Sequence, residues 1–350
     1  MFHPAAALTL PPGVFVCTPP GYSARKVRYH VNMPSLTIGN VTARLPIIQG
    51  GMAVRISLSP LAGAVAAAGG VGIIAGSGLS VDELREEIRH ARSIANGGVI
   101  GVNIMVAVRA FKELVQTALD EGIDLVVAGA GFSRDVFTWC KDAGVPMVPI
   151  VGSARVARLS QKFGASAVVV EGFEAGGHLG TDRLMRDLLP EIIEAVDIPV
   201  IGAGGVVTGA DIKEVLELGA AGVQMGTRFA ATVESSAPEA FKQMYVDATP
   251  DEVVIVKSPV GLPGRALKNP FWERTQRGDY PRIPKCISCL KECHKDYCIM
   301  DELRLSQGGD VEQGLVFAGS AAARIHDVPT VADLMSRLES EYAAAEGESA

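Results

Sequence analysis

The sequence predicts an α/β fold, a (β/α)₈ TIM barrel with a C-terminal Cys-rich extension. From residue 45 onward, short β-branched runs alternate with helical patterns, and the runs number eight. Runs such as VVV at 168–170 are apolar on both faces, as strands are when helices cover one face and a barrel interior the other. Eight consecutive βα units fit a closed barrel better than an open doubly wound sheet.

Most of the predicted strands end in Gly. A helical pattern follows, and at 80–95 Ser80 and Glu83 have the spacing of a capping box. The uncharged stretch 60–78 is divided by Gly69 and Gly70 into a helix-like and a strand-like half, so we do not expect it to span a membrane. The strands are predicted at 46–50, 71–76, 99–105, 124–130, 146–152, 166–172, 199–205 and 222–229.

Three regions follow from this pattern. Residues 1–44 are predicted to be an irregular lead-in, and 45–270 to be the barrel with a lid-like excursion after the eighth strand. Residues 271–350 combine a Cys-rich metal-binding segment with a helical tail, whose last ten residues we expect to be frayed.

Composition narrows the class of function. The chain has 350 residues, 48% of them hydrophobic, and a formal net charge of −7, without the basic stripe that nucleic acids or anionic membranes require. The N-terminal residues do not resemble a secretory signal. We therefore expect a cytoplasmic protein with a small-molecule substrate and no nucleic-acid or membrane partner. A homodimer is a further expectation, because barrels of this kind often pair.

Chemistry in a TIM barrel lies at the C-terminal ends of the strands, where the candidate residues cluster. Gly204 and Gly205 after strand seven, with Gly226 and Thr227 at the end of strand eight, are typical of a phosphate cradle, although glycine also serves simply as a turn former. Asn103 could bind a heterocycle's edge or cap a turn. The candidates are Gln49, Gly50, Gly51, Met52, Asn103, Glu171, Gly177, His178, Gly204, Gly205, Gly226 and Thr227.

Six segments together resemble the nitronate monooxygenase family, formerly called 2-nitropropane dioxygenases, whose superfamily includes FMN-dependent enoyl-acyl-carrier-protein reductases. They are PIIQGGMA (46–53), AAAGGVGIIAG (66–76), GVNIM (101–105), EGFEAGGHLG (171–180), PVIGAGGV (199–206) and GVQMGTRFAATVES (222–235). The resemblance covers roughly residues 35–270.

The resemblance implies an FMN-dependent oxidoreductase. The flavin phosphate would be held by Gly204, Gly205, Gly226 and Thr227, and the isoalloxazine would lie near Gln49, Gly51, Met52 and Asn103, with Glu171 and Gly177 beside it. His178 matches the histidine that the family places over the flavin, where it would act as a proton shuttle. The alternative for His178 is a solvent-facing loop residue.

Several reactions remain open at this stage. An O₂-dependent nitronate monooxygenase and an NAD(P)H-dependent enoyl-thioester reductase are close rivals, acting on a small carbon acid or an activated alkene. The sequence GAGGVVTG lacks the spacing of G-x-G-x-x-G, so NAD(P)H would bind only transiently at the barrel mouth. A flavin-free barrel that binds a phosphorylated metabolite and an electron-transfer scaffold are the alternatives from other classes.

Four cysteines depart from the family pattern. Cys286, Cys289, Cys293 and Cys298 follow the spacing C-x2-C-x3-C-x4-C, which in a reducing compartment indicates a metal site more than disulfides. The compact loop favours a [4Fe-4S] cluster; zinc, with His294 as a substitute ligand, and uncommitted thiols are the alternatives. A cluster could exchange electrons with FMN and a protein electron carrier, or only fasten the C-terminal segment to the barrel.

Overall fold

The computed structural model describes residues 33–347, which belong to one compact unit. Eight parallel strands close into a barrel in the order β10-β11-β3-β4-β5-β6-β7-β8, which confirms the predicted TIM barrel. These strands are β3 (Ile47–Gln49), β4 (Val71–Ala75), β5 (Val99–Met105), β6 (Leu125–Gly129), β7 (Met147–Val151), β8 (Val168–Glu171), β10 (Val200–Ala203) and β11 (Gly222–Met225).

A short hairpin closes the N-terminal end of the barrel. Strands β1 (Leu36–Ile38) and β2 (Val41–Ala43) pair antiparallel, and Leu36 and Ile38 pack with the side chains that fill the barrel interior. The expected irregular lead-in is therefore wrong for residues 36–43, because alternate apolar side chains there have a buried surface to cover. Residues 1–32 of that lead-in lie outside the described part of the chain.

The helices follow the strands as the sequence predicts. The capping box of α2 is present, with the Glu83 amide donating to Ser80 Oγ at 3.2 Å and the Ser80 amide donating to the Glu83 carboxylate at 2.8 Å. The barrel helices are α1 (Ser59–Ala67), α2 (Val81–Ile94), α3 (Phe111–Asp120), α4 (Arg134–Ala143), α5 (Ala154–Phe163), α6 (Met185–Ile193), α7 (Gly209–Glu217) and α8 (Thr227–Ala230). The stretch 60–78 divides between α1 and β4, and within residues 33–347 no helix is long and apolar enough to cross a membrane.

The eighth barrel strand is shorter than predicted. It ends at Met225 instead of continuing to Phe229, because the carbonyl of Gly226 accepts hydrogen bonds from the amides of Phe229 and Ala230 and so starts α8. After helix α9 (Glu239–Asp247), strands β12 (Val253–Lys257) and β13 (Pro263–Leu267) form a three-stranded antiparallel sheet with β9 (Gly177–His178). This outer sheet carries His178.

The C-terminal region packs on the barrel through α10 (Pro270–Gln276), α11 (Ile299–Gln307) and α12 (Val331–Gly347). Helix α12 approaches α7 closely, where the Gly209 amide donates to the Glu341 carboxylate at 2.7 Å. A Cβ on Gly209 would lie 2.2 Å from the Leu338 carbonyl oxygen. The segment 341–347, which we expected to be frayed, continues α12, and Tyr342 within it is buried; residues 348–350 lie outside the described range.

Candidate active site

The strand ends surround a cavity of about 250 Å³ at the C-terminal mouth of the barrel. All the predicted site residues except Gln49 line it. They are Gly50, Gly51, Met52, Asn103, Glu171, Gly177, His178, Gly204, Gly205, Gly226 and Thr227. The barrel strands β3, β5, β8, β10 and β11 position most of these residues, whereas Gly177 and His178 lie on β9 of the outer sheet.

Gln49 does not lie at the cavity. Its side chain is fully buried and links β3 to β4, with its Oε1 accepting from the Ile73 amide at 3.1 Å and its Nε2 donating to the Ile73 carbonyl at 3.2 Å. The alternation of side chains along a strand does not show whether a polar residue at its end lines the cavity or forms hydrogen bonds to the neighbouring strand. We assign Gln49 to the barrel wall.

Gly51 and Asn103 meet at the floor of the mouth. A Cβ on Gly51 would lie 2.4 Å from Asn103 Cβ, a separation that real side chains do not reach. Glycine is therefore required if the β3–α1 loop and Asn103 are to share this side of the cavity. The Asn103 amide is left beside the opening, where it can meet the polar edge of a ligand.

The glycine turns form a cradle of exposed backbone. Gly204 and Gly205 have φ values of +119° and +71°, and a Cβ on Gly204 would lie 3.0 Å from Glu174 Cγ. The Thr227 hydroxyl oxygen accepts from the Gly319 amide at 2.9 Å, which leaves its hydrogen available to a ligand oxygen. These features suit a phosphate group, which amide and hydroxyl donors bind well.

Glu171 is a buried carboxyl at the end of β8. Desolvation raises its pKa to about 8, far above the usual range of a carboxyl group. At neutral pH the group is therefore protonated and uncharged. Desolvation is the cause of this shift, so the cavity favours the neutral acid.

His178 lies on the same cavity and is also uncharged. Burial lowers its pKa to about 4, so the imidazole is neutral at physiological pH. Its Nε2 lies 2.8 Å from Ser258 Oγ, and its ring meets the Phe317 ring at 69° with centroids 5.1 Å apart. The imidazole is held on two sides, which rules out the alternative of a solvent-facing loop residue.

The C-terminal region supplies part of the lining that the sequence did not reveal. The Tyr245 hydroxyl fixes this cover by donating to the Phe317 carbonyl at 2.5 Å. The segment VFAGSAA offers only the glycine after an apolar run as a signal, and that pattern is common in ordinary turns. The additional lining residues include Leu303, Ser306, Phe317, Gly319, Ala321 and Ala322.

The described structure does not support the metal centre predicted at the four cysteines. Among residues 33–347, no group of three or more His, Cys, Asp or Glu side chains is arranged to hold a metal ion. Cys286 and Cys293 are exposed, whereas Cys289 and Cys298 are half-buried. The geometry therefore supports neither the [4Fe-4S] cluster nor zinc at Cys286, Cys289, Cys293 and Cys298.

A TIM barrel with a glycine cradle and two uncharged acid–base groups at its mouth has the architecture of a barrel enzyme. Comparison with known proteins specifies it further. The family model for nitronate monooxygenase matches residues 35–116 and 99–341. The chain belongs to the nitronate monooxygenase family of oxidoreductases.

Individual relatives differ in the reaction that their names state. A Mycobacterium tuberculosis protein, (3aS,4S,5R,7aS)-5-hydroxy-7a-methyl-1-oxo-octahydro-1H-indene-4-carboxyl-CoA dehydrogenase, is 34% identical over 240 residues, which cover 68% of this chain and 67% of the relative. A probable nitronate monooxygenase of Staphylococcus aureus is 28% identical, covering 68% of this chain and 80% of the relative. The structure of FabK from Thermotoga maritima superposes with a TM-score of 0.78 at 32% identity, covering 87% of this chain and 94% of FabK.

Proposed function

We propose that this protein is an FMN-dependent oxidoreductase that acts on an acyl thioester at the carbon next to the carbonyl, with His178 as proton shuttle. The observation that carries the proposal is that His178, Glu171 and the glycine cradle share one cavity. The acyl-CoA substrate of the 34% identical relative supports the choice of a thioester.

The residues at the cradle suit FMN. Gly204, Gly205, Gly226 and Thr227 would bind the phosphate, and Gly51 and Asn103 would border the ring, where a Cβ at position 51 would close the space. When bound, the flavin supplies a hydride acceptor or donor. The chain's own residues orient the two reactants and handle the accompanying proton.

Proton transfer falls to the uncharged groups. A neutral imidazole can take the proton from a carbon acid, and the imidazolium so formed can return it to the same carbon in the reverse direction. Glu171 in its acid form adds no negative charge next to an electron-rich ring, and it can donate a hydrogen bond. Any NAD(P)H would visit the mouth transiently, and a protein electron carrier would serve as the alternative donor.

Nitronate oxidation is the second candidate. It is favoured by the family to which the chain belongs and by the Staphylococcus aureus relative. A nitronate is a small carbon acid already deprotonated, which uses the same flavin and consumes O₂ without NAD(P)H.

Two measurements on purified protein test these proposals. We expect an absorbance spectrum with flavin bands and stoichiometric FMN released on denaturation; a colourless protein that releases no FMN would overturn both. Anaerobic mixing with saturated and α,β-unsaturated acyl-CoA thioesters, with and without NAD(P)H, should change the flavin absorbance. Oxygen uptake with an alkyl nitronate in the absence of NAD(P)H, without any response to thioesters, would instead establish the second candidate.

A further inference from the structure

A serine outside the barrel is the hydrogen-bond partner of His178. Ser258 follows β12 and is 2% exposed, and its Oγ lies 2.8 Å from His178 Nε2. A hydroxyl group both donates and accepts, so this bond survives whether or not Nε2 carries a hydrogen. Among the described residues, Nδ1 has no such partner.

The loop that carries Ser258 is itself fixed from both sides. The Tyr297 hydroxyl donates to the Lys257 carbonyl at 2.9 Å, and the His294 amide donates to the Pro259 carbonyl at 2.8 Å. Lys257 also pairs with Asp296 at 3.2 Å. The four-cysteine segment 286–298 therefore braces the residues before and after Ser258, which makes the serine a rigid partner.

We propose that Ser258 is a positioning residue, which engages Nε2 of His178 and so assigns proton exchange with the substrate to Nδ1. The proposal rests on the proposed function of His178. It gives a role to the segment 286–298 that needs no metal, since the segment holds the serine against the imidazole. Phe317 contacts the imidazole on the other side. Loss of the serine hydroxyl would therefore remove one hydrogen bond but leave the ring contact with Phe317 in place.

Three variants of the flavin-loaded protein test the proposal. Ser258→Ala should lower kcat about 10- to 100-fold, part of the contribution of a well-placed acid–base group, while KM and FMN content stay unchanged. Ser258→Thr keeps a hydroxyl and should recover most of the turnover. Ser160→Ala removes another fully buried serine hydroxyl, on α5 away from the cavity, and should leave turnover as it is.

Nitrogen NMR with ¹⁵N-labelled histidine decides the inference independently of turnover. The His178 signals, identified by their absence in His178→Asn, should shift in Ser258→Ala and return in Ser258→Thr, while the other histidines keep theirs. Unchanged His178 signals or unchanged kcat in Ser258→Ala would overturn the positioning role. If no substrate reacts but the signals behave as expected, the proposed function fails and the Ser258–His178 contact stands.

Discussion

Two parts of the cavity differ in the groups that they present to a ligand. The cradle at Gly204, Gly205 and Gly226 is backbone, because glycine has no side chain of its own to place between the backbone and a ligand. The proton side of the cavity consists of two titratable side chains, Glu171 and His178. Burial raises the pKa of the carboxyl and lowers that of the imidazole, so both groups are uncharged at neutral pH. The cradle therefore depends on shape and the proton side on charge, and a substitution should affect one without the other.

Their supports differ as well. The cradle follows β10 and β11, which belong to the closed barrel, whereas His178 lies on the outer sheet and is held by Ser258 and Phe317. Binding of the cofactor and handling of the proton are thus separable in the structure. The predictions below use that separation.

The largest effect is expected at the imidazole. His178→Asn should leave FMN bound, because the cradle is untouched, and should lower kcat by about 10²–10⁴-fold, since a general acid or base contributes that much. Steady-state turnover and flavin content per protein measure the two properties. His326→Asn, at an exposed histidine, is the matched control. Full turnover in His178→Asn would remove the histidine from the chemistry.

The cradle should respond in the reverse manner. Gly204→Ala places a Cβ at a φ of +119° and 3.0 Å from Glu174 Cγ, so we expect FMN affinity to fall about tenfold or more. Turnover per bound flavin should change little, because His178 is not moved. Equilibrium titration of the apoprotein with FMN gives the affinity.

Gly164→Ala separates the local effect from backbone strain. Gly164 has a φ of +96° at the end of α5, and nothing lies within 4 Å of a Cβ built there. It should lower the free energy of unfolding without changing FMN affinity. Equal loss of FMN affinity in both variants would mean that the loss follows from lower overall stability, and that Gly204 makes no specific contact with FMN.

The sequence predicted the parts of this molecule that repeat. The run VIGVNIM was predicted as a strand at 99–105 and forms β5 over those residues, because a short hydrophobic run in a βα unit is its strand. Strand-end residues such as Asn103 and Gly205 then converge by topology alone. The turn chemistry of Ser80 and Glu83 is local and was equally visible.

Contacts between distant parts of the chain could not be predicted. Ser258 and Phe317 reach His178 from far along the sequence, and no local pattern marks either residue. The cross-strand role of Gln49 was missed for a related reason, because the hydrogen bonds of its side chain depend on which strand lies next to β3. The cysteine spacing suggested a metal, but ligand geometry depends on a fold around the loop that spacing does not specify.

The smallest effect is expected in the pH dependence of turnover, which tests whether the charge of Glu171 matters. Because the pKa of Glu171 is raised to about 8, the carboxyl is protonated below that pH and becomes an anion above it, so kcat/KM should fall about tenfold between pH 7 and pH 9. His178 is neutral throughout this range and adds no slope. Glu171→Gln cannot ionise, and its pH profile should be flat.

Glu302→Gln is the control, because burial raises the pKa of that carboxyl to about 7 but the residue does not line the cavity. If Glu302→Gln flattens the profile and Glu171→Gln retains the fall, the alkaline limb belongs to the C-terminal cover and the charge argument for Glu171 is wrong.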